Sequence, residues 1–152
     1  MRGVTTRPKM QPGMLTRPKI GVLPTLTQQS ASMTEPGPNR GQIWQINLAP
    51  TAGSEIAKTR PALVINADDF GHLPVRIVVP LTTWQPRFER QRNKLFVSRS
   101  DANGLQNDSA AEVLQVRTAS LLRFDRKLGT LSSSEVETVV AALHTATSGS
   151  AR

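Results

Sequence analysis

The sequence predicts a mostly β domain, in which about five to seven short strands form a strongly bent sheet or small barrel closed by one carboxy-terminal helix. Three observations support this fold class. Short apolar runs follow one another between residues 42 and 131, and turn-forming residues separate these runs. After Ser132 the apolar spacing changes to that of an amphipathic helix. The strands therefore come first in the chain and the single helix comes last.

Six runs of the sequence are predicted strands. In chain order they are QIWQINL (42–48), PALVIN (61–66), VRIVVPL (75–81), KLFVS (94–98), AAEVLQVRT (110–118) and RKLGTL (126–131). In the first run Trp44, Ile46 and Leu48 alternate with polar residues, which indicates a strand with one buried face. The second run is almost entirely apolar, as expected of a central strand. The third run ends near Thr82 and Thr83.

The segments between and after these strands carry turn and helix signals. Asn103-Gly104 is a strong turn signal, and ASLLRF (119–124) is predicted as a short helical turn. Ser132 and Glu135 have the spacing of a capping box. Apolar residues then follow at helical spacing, namely Val136, Val139, Val140 and Leu143. The chain therefore predicts a capped amphipathic helix after the last strand.

The chain divides into a domain over residues 40–147 and two tails. Residues 1–39 are basic, proline-rich and weakly periodic, which predicts a disordered tail that buries too little apolar surface to fold alone. Two interpretations of this tail stay open. It is a basic arm that binds nucleic acid, or it lies upstream of a native start at Met33. Residues 148–152 are predicted to fray.

The formal net charge of +8 is unevenly distributed along the chain. Residues 1–40 carry six basic side chains and one acidic side chain. The segment WQPRFERQRNK (84–94) has four basic residues against Glu89, which accounts for the whole positive excess of the remaining chain. A nearly neutral domain with one basic loop indicates a polyanion site at that loop. A solvated surface loop explains the charge equally well on this observation alone.

Several classes of protein are excluded or disfavoured. The chain has no cysteine, which excludes disulfides, thiolate nucleophiles and cysteine zinc sites. No run approaches the ~18 apolar residues of a membrane span, and no secretory signal is recognisable, so a cytoplasmic protein without a membrane partner is expected. His72 and His144 are interpreted as surface residues rather than as an acid–base pair. No metal or cofactor motif is present, so neither is expected.

The side chains that remain for chemistry lie near predicted strand ends. They are Ser54, Glu55, Arg60, Thr82, Thr83, Gln115 and Arg117. Arginine suits a phosphate because its planar fork donates two hydrogen bonds and keeps its charge, and threonine hydroxyls donate to the same oxygens. Each residue alone also has an ordinary structural explanation. Arg60 is then a surface residue at a strand entry, with Glu55 as its salt-bridge partner.

Taken together, four segments resemble the MazF/PemK family of toxin–antitoxin endoribonucleases. They are GQIWQINLAPTAGSEIAKTRPALVIN, VVPLTTW, LQVRTAS and KLGTLSSSEVETVVAAL. The resemblance implies a small SH3-like barrel of the MazF/PemK/CcdB plasmid-toxin type and a homodimer. It also implies a MazE-like antitoxin as cognate partner. The implied activity is sequence-specific, metal-independent cleavage of single-stranded RNA through a 2′,3′-cyclic phosphate.

Carried over by position, the resemblance implies that Arg60 and Thr82 are a catalytic pair and that Glu55 orients Arg60. The RNA-binding residues that it implies are Ser54, Lys58, Thr83, Trp84, Arg87, Arg90, Arg92, Lys94, Gln115 and Arg117. Trp84 is either a stacking face for a base or a core residue at a strand end. Many relatives have an acid directly before the glutamine of the fifth strand, where this chain has Leu114, so the general base stays unassigned.

Two functions of other classes stay open at this point. One is a CcdB-like toxin that binds and poisons DNA gyrase, which would make Arg60 dispensable and place the key residues on the last helix. The other is a non-catalytic small barrel that binds nucleic acid without cutting it. Incubation with mixed single-stranded RNA distinguishes both from a ribonuclease.

Overall fold

The computed structural model describes residues 37–149. The predictions for the tail over residues 1–39, including a native start at Met33, therefore fall almost entirely outside the described residues. The regular elements are β1 (Gln42–Asn47), β2 (Thr59–Val64), β3 (Val75–Thr83), β4 (Lys94–Val97), β5 (Ser109–Glu112), β6 (Arg117–Ser120), β7 (Phe124–Thr130) and α1 (Ser133–Thr147). The prediction of a mostly β domain with one carboxy-terminal helix is confirmed.

In the described part of the chain, seven strands form one antiparallel sheet. Its order is β4-β5-β3-β2-β1-β7, and β6 pairs with β3. The long strand β3 connects two parts of the sheet, since its first residues pair with β6 and its last residues pair with β5. Every pairing is between antiparallel strands. Strands β2 and β3 therefore lie at the centre of the sheet.

Apolar side chains are buried on both faces of this sheet. One cluster joins Ile43 and Leu63 to Val136 and Val139 of α1. Full burial of such side chains contributes roughly 1.5–3 kcal/mol each, so the helix is held mainly by this contact. A second cluster on the other face includes Ile46, Leu48, Ala62, Val64, Val78 and Ala119. The prediction that β1 has a single buried face is therefore wrong, because Ile43 packs beneath the helix while the predicted face packs in the second cluster.

The predicted fifth strand over residues 110–118 is interrupted. A 3-10 turn at Val113–Gln115 divides it into β5 and β6. Val113 is fully buried, and its backbone carbonyl accepts a hydrogen bond from the amide of Val116 at 3.3 Å, which closes the turn. Ala111 is opposite Leu81 and Arg117 is opposite Val78, so this segment uses six residues to pass three residues of β3, and the turn takes up the excess. Gln115 therefore lies in the turn rather than on a strand.

Two strand ends also differ from the prediction. β2 begins at Thr59, so Arg60 belongs to the strand instead of the loop before it. β3 continues through Thr83, so both threonines belong to that strand. The difference is explained by pairing, because Arg60 is opposite Ile46 of β1 and Thr82 is opposite Ala110 of β5.

The carboxy-terminal helix begins as the sequence predicts. The Ser132 hydroxyl accepts a hydrogen bond from the backbone amide of Glu135 at 3.2 Å, and the Glu135 carboxylate accepts one from the amide of Ser132 at 3.1 Å. This reciprocal pair satisfies two amides that have no partner within the helix. No helix among residues 37–149 is both long enough and apolar enough to cross a membrane.

Candidate active site

Arg60 and Thr82 meet between the central strands. Nη1 of Arg60 donates to Oγ1 of Thr82 at 3.5 Å, and Nε of Arg60 donates to the backbone carbonyl of Ala57 at 3.2 Å. Both side chains are half-buried, so each keeps a surface open to a ligand. The Ala57 carbonyl belongs to the loop that precedes β2, so this second contact holds the guanidinium against that loop. The structure thus brings together the two residues that the sequence singled out from separate strands.

These two residues line a cleft of about 280 Å³. Its other polar lining residues are Gln45, Thr83, Gln106, Asn107, Ser109 and Arg126. No acidic residue or histidine belongs to the lining within residues 37–149, whereas two arginines do. The cleft therefore offers positive charge, hydroxyls and amides without an internal counter-charge. Such a surface favours an anion with several oxygen acceptors, as a phosphodiester has.

One wall of the cleft depends on a close approach between a turn and β7. The backbone of Gly104 has a φ of 69°, and a Cβ at this position would lie 2.0 Å from the carbonyl oxygen of Leu128. A Cβ at Gly129 would lie 2.3 Å from the carbonyl oxygen of Ala102. The amide of Thr130 donates to that carbonyl at 2.9 Å, which joins the turn to the strand. The predicted Asn-Gly turn is therefore present, and it needs glycine for space as well as for φ.

Asn103 fixes the conformation of the same turn. Its side chain is buried, and Oδ1 accepts hydrogen bonds from the amides of Ser100 and Leu105, both at 3.0 Å. Nδ2 donates to the carbonyl of Ser98 at 2.8 Å. A buried amide with three such hydrogen bonds holds the loop after it in one position. That loop supplies Gln106 and Asn107 to the cleft.

Glu55 does not contact Arg60. Its Oε1 accepts a hydrogen bond from the amide of Ala52 at 2.8 Å, within the same loop. The two salt bridges found among residues 37–149 are Arg40–Glu137 and Lys94–Glu112. The prediction that Glu55 orients Arg60 is therefore wrong for this conformation, since Ala57 and Thr82 make the contacts that position the guanidinium.

Gln115 and Arg117 anchor the loop between β1 and β2. Oε1 of Gln115 accepts from the amide of Ile56 at 3.2 Å, and its Nε2 donates to the carbonyl of Ser54 at 3.4 Å. Nη1 of Arg117 donates to the carbonyl of Leu48 at 3.1 Å. Gln115 and Arg117 line a second cleft of about 220 Å³ together with Glu55. The structure therefore places these three predicted site residues apart from the cleft of Arg60.

The loop before β2 exposes the other two predicted residues in this region. Ser54 and Lys58 are both exposed. Lys58 is the non-glycine residue with a positive φ, 71°, among the described residues. This conformation turns the chain just before β2, while the Lys58 carbonyl accepts a hydrogen bond from the amide of Leu48 at 3.0 Å. Neither side chain lines the cleft of Arg60.

The basic loop over residues 84–94 is built on an aromatic cluster. The Trp84 ring makes edge contacts with Phe88 at 5.7 Å and with Phe96 at 5.1 Å between centroids. Trp84 is half-buried and Phe96 is 52% exposed, so the cluster has an open side that a base could stack on. Trp84 therefore packs within the loop, and its role as a stacking face for a base stays a prediction.

The basic side chains of this loop are not equivalent. Lys94 pairs with the buried carboxylate of Glu112, and its Nζ lies 4.8 Å from the centre of the Phe88 ring. Arg87 lies over the same ring at 5.4 Å. Arg90 and Arg92 are exposed. Lys94 thus holds the loop to β5, and the three arginines are the cations that a polyanion could reach.

Several polar residues of the cleft were not predicted. They are Gln45, Gln106, Asn107, Ser109 and Arg126. Gln45 is a polar residue between Trp44 and Ile46 in the first predicted strand, and nothing else in the sequence indicates that it lines a cleft. Arg126 belongs to a run predicted as the last strand, but nothing local shows that this strand pairs with β1. Gln106, Asn107 and Ser109 lie in the segment 101–109, for which the sequence predicted a turn and no binding role.

The two histidines are surface residues, as the sequence predicts. His72 and His144 are exposed and lie outside the lining of the cleft. Among residues 37–149 no three His, Cys, Asp or Glu side chains are grouped as metal ligands would be.

The fold and the cleft together define a class: a small antiparallel β domain with a terminal helix and a cationic cleft that bears hydroxyl groups. The chain belongs to the family of PemK-like, MazF-like toxins of type II toxin–antitoxin systems, whose family model matches residues 39–147. This family is the one that the sequence motifs resembled.

Two curated relatives carry the name endoribonuclease. The chain is 31% identical over 103 residues to Endoribonuclease MazF9 of Mycobacterium tuberculosis, a match that covers 64% of this chain and 85% of that protein. It is 32% identical over 83 residues to Endoribonuclease PemK of Escherichia coli, which covers 54% of this chain and 60% of PemK. The chain thus spans less than two thirds of the length of PemK.

Solved structures of MazF proteins share the fold. MazF from Deinococcus radiodurans superposes with a TM-score of 0.62 at 19% identity, over 72% of this chain and 96% of that chain. An endoribonuclease of a mycobacterial species, solved in complex with its cognate antitoxin, gives a TM-score of 0.59 at 18% identity over 76% and 100% of the two chains. At these identities the likeness shows the fold, and the prediction of a MazF-type small barrel is confirmed.

Proposed function

We propose that this protein is a toxin that cleaves single-stranded RNA by sequence-specific, metal-independent transesterification. The observation that supports this most is the hydrogen-bonded pair of Arg60 and Thr82, two residues that line a cleft without a carboxylate. Family membership supports the same reaction, since both curated relatives are named endoribonucleases.

The chemistry requires the ribose 2′-oxygen to attack the adjacent phosphorus. The 2′-hydroxyl loses its proton, the bond to the 5′-oxygen breaks, and that oxygen gains a proton. The products are a 2′,3′-cyclic phosphate and a 5′-hydroxyl. Negative charge increases on the non-bridging phosphate oxygens in the transition state, and donors that are already in place stabilise this charge without reorganisation.

Arg60 and Thr82 supply such donors. The guanidinium has five N–H groups, of which two are directed at Ala57 and Thr82, so others are available to phosphate oxygens. The Thr82 hydroxyl accepts from Arg60 and can donate its own proton to the same phosphate. Arginine keeps its proton under ordinary conditions, which makes it a charge clamp rather than a base. The group that removes the 2′ proton stays unassigned, and a catalytic role for Glu55 stays a prediction.

The surface for the rest of the RNA is predicted to extend from the cleft to the basic loop. Thr83 lines the cleft, and Trp84 follows it directly at the start of the loop. The exposed arginines of the loop are Arg87, Arg90 and Arg92. Trp84 and Phe96 offer stacking faces, while the arginines contact phosphates. Ser54, Lys58, Lys94, Gln115 and Arg117 contribute through the loops that they hold or border.

The biological setting that we propose is a toxin–antitoxin pair. A homodimer acts on RNA in the cytoplasm, and a MazE-like antitoxin blocks the RNA surface. The mycobacterial neighbour was solved with a cognate antitoxin, which supports a partner of this kind. A gyrase poison and a non-catalytic barrel are not favoured, because the matching family model and the curated names are those of MazF and PemK proteins.

Incubation of the purified protein with mixed single-stranded RNA in EDTA tests this function. We expect cleavage at a limited number of sequences, with 5′-hydroxyl ends on one fragment and 2′,3′-cyclic phosphates on the other. Mapping of both ends by sequencing with and without phosphatase and kinase treatment identifies the chemistry. RNA that is bound but intact would point to a non-catalytic barrel, and RNA that is neither bound nor cut would reject the proposal.

A further inference from the structure

The loop between β1 and β2 packs on the face of the sheet that carries the Arg60 side chain. Ile56 of this loop packs against the second apolar cluster, to which Ala62 and Val64 of β2 belong. Arg60 precedes Ala62 by two residues in the same strand, so its side chain lies on the same face. The Ala57 carbonyl of the loop accepts a hydrogen bond from Nε of Arg60 at 3.2 Å. The position of the loop therefore affects the position of the guanidinium.

Gln115 holds the middle of this loop from the turn between β5 and β6. Its Oε1 accepts a hydrogen bond from the amide of Ile56 at 3.2 Å, and its Nε2 donates to the carbonyl of Ser54 at 3.4 Å. Both partners are backbone groups, so these contacts fix the path of the loop whatever its side chains do. Within residues 37–149, the side chains from other segments that hydrogen-bond residues 50–57 are those of Gln115 and Arg60.

The contacts of Gln115 and Arg60 are adjacent in the chain. Ile56, whose amide Gln115 holds, directly precedes Ala57, whose carbonyl holds Arg60. The guanidinium then reaches Thr82 through Nη1 at 3.5 Å. Gln115 does not itself line the cleft of Arg60, so an effect on that residue passes through the loop. Small displacements of a catalytic group are costly, since an error of about 1 Å can slow a reaction about 10²-fold.

We propose that Gln115 is a positioning residue for Arg60. Its two hydrogen bonds hold the loop so that the Ala57 carbonyl keeps the guanidinium beside Thr82. This role differs from the direct RNA contact that the family resemblance implies, because the amide group of Gln115 is engaged within the protein. The inference rests on the proposed function for the reaction that Arg60 performs, and on the hydrogen bonds alone for the position of the guanidinium.

The first test compares Gln115→Met with Arg123→Met. Methionine has a similar length to glutamine but cannot make either hydrogen bond. Arg123 is also half-buried and donates to the carbonyls of Asn47 and Ala49, so it holds the other end of the same loop, away from Ala57. Single-turnover cleavage at saturating RNA should be roughly tenfold slower for Gln115→Met and within twofold of the wild type for Arg123→Met.

RNA affinity separates positioning from direct contact. The probe is a mixed-sequence single-stranded RNA with 2′-O-methyl riboses, which cannot be cleaved. Gln115→Met should change its affinity less than twofold, and in an Arg60→Ala background it should slow cleavage no further, because the residue that it positions is gone. Weaker affinity with an unchanged saturating rate would assign Gln115 to RNA contact and overturn the inference. Losses that multiply in the double variant would also overturn it.

The second test needs no RNA. The Nε–H resonance of Arg60 is identified by its absence in Arg60→Lys, and its exchange with water is measured by NMR. The hydrogen bond to the Ala57 carbonyl protects this proton, so exchange should be about tenfold faster in Gln115→Met and unchanged in Arg123→Met. If the wild-type protein cuts no RNA but the exchange changes in this way, the ribonuclease proposal fails and the positioning role stands. If it cuts RNA and the two variants exchange alike, the positioning role is rejected.

Discussion

Replacement of Arg60 by alanine should lower the rate constant of RNA cleavage by roughly 10²–10³-fold, as the loss of one oxyanion donor does elsewhere. Arg60 is the residue of the cleft that contacts Thr82, and its guanidinium is already fixed by the Ala57 carbonyl. The variant loses a preorganised charge that stabilises the phosphorane oxygens, so the rate should fall even at saturating RNA. Single-turnover cleavage of a fluorescent RNA oligonucleotide measures this rate directly.

The matched control for this result is Arg60→Lys. Lysine keeps the charge but lacks the planar fork that binds two oxygens, so its rate should lie between those of the wild type and Arg60→Ala. Circular dichroism should show the same β-rich spectrum for all three proteins, because Arg60 is half-buried and lies outside both apolar clusters. Wild-type cleavage by a folded Arg60→Ala variant would remove Arg60 from the active site.

Replacement of Gly104 by alanine should destabilise the domain by about 3 kcal/mol or more. The new Cβ would lie 2.0 Å from the Leu128 carbonyl oxygen, so the turn and β7 would have to separate. Overpacking of this kind costs about 1–3 kcal/mol, and the positive φ of Gly104 adds about 1 kcal/mol for a residue with a side chain. Urea denaturation measures the change. RNA cleavage should fall as well, because the loop after Gly104 lines the cleft.

Gly53 provides a control with the same backbone conformation. Its φ is 56°, and no atom lies within 4 Å of a Cβ built at this position. Gly53→Ala should therefore cost only the conformational term of about 1 kcal/mol. Equal destabilisation by the two substitutions would show that the positive φ alone sets the cost at Gly104. The explanation from the close approach to β7 would then be wrong.

Local patterns in the sequence predicted the elements well. The capping box of Ser132 and Glu135, the Asn-Gly turn at Gly104 and the apolar run of β3 all depend on residues within a few positions of one another. Such signals determine which segment forms a strand or helix, and the structure confirms them. The pairing of Arg60 with Thr82 was predicted from the family resemblance. No local pattern relates two residues that are 22 positions apart on different strands.

The features that were missed depend on contacts between distant segments. Arg126 enters the cleft because β7 pairs with β1, and this pairing has two register shifts that no sequence periodicity indicates. Glu55 accepts a hydrogen bond from the amide of Ala52, three residues away, and does not contact Arg60. The break after Glu112 is similar, because it accommodates a change of register along β3 and no turn-forming residue marks it.

A double-mutant cycle of Arg60→Ala and Thr82→Val tests most directly whether one phosphodiester is bound by both side chains. Single-turnover cleavage rates are measured for the wild type, both single variants and the double variant. Residues that act on the same group are not additive, so we expect the double variant to cleave RNA about as slowly as Arg60→Ala alone. Independent losses that multiply in the double variant would show that the guanidinium and the hydroxyl act on different groups, and would contradict the account.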